Sequence, residues 1–311
     1  MDTQENDLHK LFEQYVDGCH YTARLRPDTI RGYRAVFALF LKVMPEVTNT
    51  NCLAPDMLRE FFKRIENRVR PVGKTFKKGV KDSTIRTQYA KLNVFFEWLY
   101  IKGFINQNPL AGIKPPQVRY DDFKRLKDEE VARIYAAIVQ YSITPFMLRR
   151  DTLIVSILLF CGIRKGELAG LRVGDIDVAS NQITIRAETS KSKRTKTLKM
   201  HPTLVMHMKD YLKERKALNF KTECLITSIK SDTGLTPHGF KHWTTRLIKN
   251  SGVRFHLHQF RHTFATKLAE ANVQVIKIQK LLGHADISMT MRYLRSVEPE
   301  NMEEDIRKLS F

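Results

Sequence analysis

A mainly α-helical fold with one small β-ribbon, divided between two domains, is what the sequence predicts. Three observations carry that expectation. The chain has 311 residues, and a domain typically holds roughly 100–200. Apolar residues recur at three- and four-residue spacings along most of it. One β-branched run, Ile183-Thr184-Ile185-Arg186-Ala187, alternates instead.

Taken in order, Leu8, Leu11, Phe12 and Tyr15 mark a first helix. Tyr33, Val36, Phe37, Phe40 and Leu41 mark a second, and Leu58, Phe61, Phe62 and Ile65 a third. The fourth carries Ile85, Tyr89, Leu92, Phe95, Phe96 and Leu99, with Ser83 as its expected N-cap and Gly103 as its stop. Such an aromatic stripe is core material rather than a base-stacking platform. Between the third and fourth helices, Lys63 to Lys81 is dense in cations, and Pro71, Gly73 and Gly79 break any helix there. A phosphate-contacting loop is expected, with Lys74, Lys77 and Lys78 as DNA contacts, because like charges this dense repel unless neutralised. A solvated loop is the plainer reading.

Asn108-Pro109 and Pro115-Pro116 then interrupt the pattern, and residues 114–126 read as a linker. Lys127-Asp128-Glu129-Glu130 opens a helix with Val131, Ile134, Tyr135 and Ile138 on one face. Thr195 to Met200 is the expected return strand to Ile183–Ala187, across the basic turn Ser190-Lys191-Ser192-Lys193-Arg194. Helices resume from Thr203.

Composition narrows the function. The net charge is +20, and it is spread, +7 before residue 118 and +13 after it. Both halves therefore suit one polyanion, most simply nucleic acid. The longest apolar stretch, Leu153 to Cys161, is far short of the roughly 20 residues a membrane span needs, so no membrane partner is expected. Met1-Asp2-Thr3-Gln4-Glu5 is acidic and polar, unlike a signal peptide. Cys19, Cys52, Cys161 and Cys224 are far apart, which predicts reduced thiols in a cytoplasmic protein.

Four segments of the second half carry chemistry, each weakly alone. In Cys161-Gly162-Ile163-Arg164-Lys165-Gly166-Glu167-Leu168 an apolar helix ends and Arg164 can offer a two-donor fork to a phosphate. Lys191, near the ribbon tip, is a candidate general acid; Lys193, Arg194 and Lys196 suit backbone contacts. In His258-Gln259-Phe260-Arg261-His262-Thr263, His258 and Arg261 share one helix side near a positive dipole end. Leu282-Gly283-His284 is followed by Tyr293 on a short helix that Asp286 can cap. Together they offer guanidiniums, a lysine, histidines and a tyrosine, without clustered carboxylates or a glycine-rich phosphate loop. Phosphoryl transfer with Tyr293 as covalent nucleophile, with neither cofactor nor metal, fits that set.

The order Arg164, Lys191, His258-x-x-Arg261, His284, Tyr293 resembles the tyrosine recombinase, or phage integrase, family. The N-terminal part is similar to that family's SAM-like four-helix core-binding domain, through Phe95-Phe96-Glu97-Trp98-Leu99 and Asn108-Pro109-Leu110. Phe260 stands where the family usually has Leu, and Leu294-Arg295 where many members have x-His; neither position is catalytic in the family. The resemblance implies a core-binding domain over 1–113, the linker 114–126, an α+β catalytic domain over 127–298, and a C-terminal helix over 299–311 for protomer packing. It implies that Tyr293 attacks the scissile phosphate of double-stranded DNA to give a 3′-phosphotyrosyl link and a free 5′-hydroxyl. Arg164 and Arg261 then clamp the non-bridging oxygens, Lys191 protonates the leaving oxygen, His258 accepts the tyrosine proton or adds a further phosphate ligand, and His284 bonds the phosphate. It further implies an inverted-repeat target, two domains closing on DNA as a C, and a tetramer passing through a Holliday junction. A type IB topoisomerase-like enzyme and a catalytically idle DNA-binding protein on this scaffold are the rival readings.

Overall fold

A computed structural model describes residues 6–73, 75–118, 125–190, 193–228 and 231–294. The chain divides into two compact units, residues 1–119 and 120–311.

The first unit is built on α1 (Leu8–Asp17), α2 (Pro27–Val43), α3 (Pro55–Asn67) and α4 (Asp82–Ile101). Asp7 caps α1 by accepting from Lys10 N at 2.8 Å. Pro27 and Pro55 open α2 and α3, where a missing N–H costs nothing. The expected aromatic stripe is the core. Phe12 stacks on Phe37 at 3.8 Å between centroids, and the Phe95 edge meets both rings at 5.1 and 5.5 Å. Phe40, Phe61 and Phe96 are fully buried beside them.

Two expectations are corrected here. Ser83 does not cap α4. The cap position is Lys81, and the helix draws Asp82 into its first turn, where a carboxylate favours the positive end of the dipole. The basic stretch is not a plain loop. It forms a two-stranded antiparallel hairpin, β1 (Val69–Val72) and β2 (Thr75–Lys78), pairing Val69 with Lys78 and Pro71 with Phe76. Gly73, at φ +62°, supplies the turn. Lys77 and Lys78 are exposed on β2; Lys74 lies outside the described residues.

The second unit starts with α5 (Asp128–Tyr141) and α6 (Pro145–Cys161). The apolar run in α6 is too short to span a membrane, and it is the centre of the core: Leu153, Ile154, Val155, Ile157 and Leu158 are all fully buried. No helix among the described residues is long and apolar enough to cross a membrane. The short α7 (Lys165–Ala169) leads into β3 (Ile176–Asp177), β4 (Gln182–Ile185) and β5 (Lys196–Lys199), one antiparallel sheet in the order β3-β4-β5. The predicted ribbon is the β4–β5 pair, with Ile183 opposite Leu198. Two-residue β3 has no periodicity to read in the sequence. Then come α8 (Pro202–Ala217), α9 (Pro237–Ser251), α10 (Leu257–Glu270), α11 (Val275–Leu282) and α12 (Ile287–Leu294). Asp286 caps α12 as expected, accepting from Ser288 N at 2.8 Å. The C-terminal helix expected over 299–311 falls outside the described residues.

An apolar cavity of about 740 Å³ opens on this unit. Leu159, Phe160, Leu198, Met200, Phe264 and Leu281 line it together with Lys199 and the ion pair of Lys267 with Asp128 at 2.7 Å.

Candidate active site

The turn that ends α6 sets the frame. Gly162 takes a left-handed φ of +56°, and a Cβ there would lie 2.3 Å from the Phe264 ring, so only glycine fits. Its carbonyl accepts from Arg261 Nη1 at 2.7 Å. The chain then reaches Arg164, the N-cap of α7, whose Nη1 meets Glu167 Oε1 at 3.1 Å. Glu167 is 1% exposed. Burial would raise its carboxyl, but the Arg164 N–H and the charges of Lys196, Arg164 and Arg261 outweigh that and lower it. It is therefore an ionised tether for Arg164.

Arg261, fully buried, is held at both ends. Besides Gly162 it donates through Nη2 to Leu282 O at 2.7 Å and to His284 Nε2 at 2.8 Å. A guanidinium can only donate, so His284 Nε2 accepts. Its Nδ1 then carries the proton and donates to Thr290 Oγ1 at 2.8 Å. Gly283, at φ +67°, makes the turn that aims His284 inward. The Tyr293 ring stacks on His284 at 5.4 Å with 7° between planes, and its hydroxyl lies 3.3 Å from His258 Nε2. Burial, with the Arg261 charge, holds His258 down at about 4 and His284 at about 3. His258 is therefore neutral at pH 7 and can accept the tyrosine proton.

Five predicted residues thus converge: Arg164, His258, Arg261, His284 and Tyr293. Lys191 lies outside the described residues. Lys193 and Arg194 are exposed on the approach to β5.

Two further residues join the site. Lys196, expected on sequence grounds among the backbone contacts, is one. Its Nζ instead donates to Leu281 O at 2.8 Å, and burial, with Arg261 and Arg164 nearby, lowers its ammonium to about 8. Strand parity carried the signal: Lys196 has the parity of buried Leu198. His262 packs its ring 4.3 Å from that of Tyr293, and burial holds it at about 3. Lys196, Arg194, Lys280 and His284 also line a cavity of about 420 Å³, whose three cationic side chains face no acid in its lining.

The sequence pattern of the phage integrase family matches residues 124–299, and all five converging residues lie within it. The chain belongs to the phage integrase family. Over 95% of its length it is similar to a tyrosine recombinase of Thermosipho africanus (strain TCF52B), 26% identical across 298 residues and 98% of that protein. The XerC recombinase of Escherichia coli O157:H7 is 24% identical over 293 residues, 92% of each chain. In fold it is similar to the Tn1549 transposon integrase, solved with a circular intermediate DNA (TM-score 0.76, 18% identity, 96% and 99% of the two chains). A lambda integrase tetramer bound to a Holliday junction also matches (TM-score 0.72, 19% identity, 94% and 79%). The protein is a tyrosine-type site-specific recombinase.

The buried imidazoles of the recombinase make a stability prediction. Folded, His258, His262 and His284 resist protonation down to about 4, 3 and 3. Unfolded, they take up protons below about 6.5. The unfolded state then binds more protons, so stability falls as pH drops through this range. The urea midpoint should be lower at pH 5 than at pH 7, a window in which ordinary carboxylates scarcely titrate; an equal midpoint would show the imidazoles to be freely solvated. Lys196 acts at the other end. Its charged form is disfavoured when folded, so its penalty is relieved as pH rises above about 8.

Proposed function

We propose that this recombinase cuts double-stranded DNA by attack of Tyr293 on the scissile phosphate, and rejoins it through a 3′-phosphotyrosyl intermediate. The observation that carries the reading is the Tyr293 hydroxyl 3.3 Å from a neutral His258 nitrogen, beside Arg261. As Tyr293 Oη bonds to phosphorus its proton passes to His258 Nε2, and the 5′-oxygen leaves with a proton from Lys191. Arg164 and Arg261 stabilise the charge gathering on the non-bridging oxygens. His284 already spends its accepting nitrogen on Arg261, so it serves first by aiming that guanidinium. The 5′-hydroxyl of another strand then attacks the phosphotyrosine and regenerates the tyrosine. The bond energy is kept in the link, so no nucleotide triphosphate is consumed.

In this reading, residues 1–113 hold the DNA core, with Lys74, Lys77, Lys78, Lys193 and Arg194 on phosphates, and the cytoplasm supplies the substrate. Four protomers synapse two inverted-repeat sites and exchange strands through a Holliday junction. The segment 299–311 links them: Met302, Ile306 and Leu309 share a helical stripe in the sequence, next to Glu300, Glu303, Glu304 and Asp305. The apolar cavity lined by Phe160, Phe264 and Leu281 on a neighbouring protomer suits that apolar stripe. Deleting residues 299–311 should leave half-site binding intact and abolish cooperative full-site complexes in mass photometry; normal tetramers from the truncated protein would place that segment on its own protomer.

The reading is tested on DNA flanking the gene, by mapping covalent cleavage points and then supplying two such duplexes. Recombinant junctions are expected, whereas relaxation without junctions would indicate the topoisomerase-like chemistry. Lys191 is tested with a substrate bearing a 5′-bridging sulfur, a leaving group that needs no proton. Lys191→Ala should cleave it nearly normally yet fail on ordinary DNA. Equal defects on both would move the acid role to Lys196, the other ammonium at the site.

A further inference from the structure

We propose that the β1–β2 hairpin is a minor-groove wedge, with Phe76 and Pro71 entering between base steps and the flanking cations holding the phosphates on either side. This rests on the DNA reading above and specifies how the first unit grips the duplex.

The hairpin is a built element. Gly79 N donates to Arg68 O at 2.8 Å, and Arg70 Nε donates to Gly79 O at 3.2 Å, so its base is closed twice. Gly79 itself sits at φ +71°, and a Cβ there would lie 2.6 Å from Glu66 O. The ladder register puts Val69, Pro71, Phe76 and Lys78 on one face, and Arg70, Thr75 and Lys77 on the other. Three of the four residues on the first face are apolar, and they are bare: Phe76 is 76% exposed and Val69 61%. Pro71 pairs with Phe76 only one step from the turn, which places the wedge at the tip.

Charge selects the occupant. From Arg68 to Lys81 there are six cationic residues and no acid, and among the described ones Arg68, Arg70, Lys77 and Lys78 form no ion pair. An apolar face ringed by unneutralised cations fits a polyanion that also offers flat apolar surface, namely stacked bases. The groove follows from the side chains. Reading base edges in the major groove calls on Asn, Gln, Arg or Lys aimed at them. The wedge face has only Lys78 of these, at the end of the ladder away from the tip, while the Phe76 and Pro71 at the tip are residue types that unstack steps from the minor-groove side and bend the duplex.

The test uses the full chain and an alternating A·T duplex of about 30 base pairs, in which every second register is equivalent and the TA steps kink easily. The ends carry a fluorescence-transfer pair, and an internal adenine is replaced by 2-aminopurine. Wild-type protein should shorten the end-to-end distance and raise 2-aminopurine emission, and netropsin should compete. Phe76→Ala, at an exposed position, should keep its melting temperature and bind within about tenfold, as expected when phosphate contacts supply most non-specific affinity. It should lose the bend, the emission rise and the sensitivity to netropsin. Lys77→Ala with Lys78→Ala should cut the salt slope of log affinity by about 0.9 per lost contact. A bend and emission unchanged by Phe76→Ala overturn the wedge while leaving the DNA reading intact. So does a Phe76→Ala protein that bends DNA normally but fails to form full-site complexes, which would assign the face to a neighbouring protomer. Failure of the wild type to bind any duplex overturns the DNA reading itself.

Discussion

Tyr293→Phe is expected to bind its target site like the wild type and to form no covalent protein–DNA band. The change removes one oxygen, and with it the proposed nucleophile. The ring that stacks on His284 and packs against His262 stays, so the fold has no reason to respond. A denaturing gel of trapped substrate decides the matter: adduct at the wild-type level would refute the assignment. His258→Ala offers a graded comparison. The hydroxyl would lose its acceptor but keep its position, so cleavage should fall by about 10²–10⁴, the usual worth of a general base.

Replacing each arginine by lysine separates two jobs. Either change keeps a charge and loses the planar fork, so cleavage should drop by roughly a hundredfold or more, with little change in DNA affinity. Stability should respond differently. Arg164 is partly exposed and its side chain leans on Glu167. Arg261 is buried and joins Gly162 O, Leu282 O and His284 Nε2. A lysine cannot span those three acceptors, and each one stranded in the interior costs about 1–3 kcal/mol. Arg261→Lys should therefore lower the melting temperature by several degrees or more, and Arg164→Lys hardly at all. Equal melting temperatures would show that Arg261 acts on the phosphate alone and does not tie the site together.

Much of this was legible in the sequence, for identifiable reasons. Helical spacing in the first unit reports burial directly, and Phe12, Phe37 and Phe95 meet as their positions require. The segments that carry Arg164 and Tyr293 follow Gly162 and Gly283, whose positive φ values are a local property that residue type reveals. What stayed hidden depended on distance along the chain. Nothing near Lys196 in sequence says that Leu281 O will receive its ammonium. The orientation of His284 follows from Arg261 and Thr290 jointly, so its accepting nitrogen could not be assigned to protein rather than phosphate beforehand. The hairpin looks like a loop in the sequence because Pro71 and two glycines argue against a helix, and a four-residue strand offers too little alternation to argue for anything else.

The reach of Arg261 also bears on when the protein becomes dangerous to DNA. Its partners lie at Gly162, 99 positions earlier, and at Leu282, 21 positions later, and Tyr293 comes later still. A ribosome delivers the chain from its N-terminus, and domains fold as their residues emerge. While the last helices are still in the exit tunnel, the basic surfaces of the first unit are already made, yet the arginine lacks its anchors at Leu282 and His284 and Tyr293 is absent. Fragments from interrupted translation, or from proteolysis ahead of α12, would share that state: able to hold DNA and unable to break it. On the proposed mechanism, the order of the residues along the polypeptide works as a safeguard, with Tyr293 delivered last.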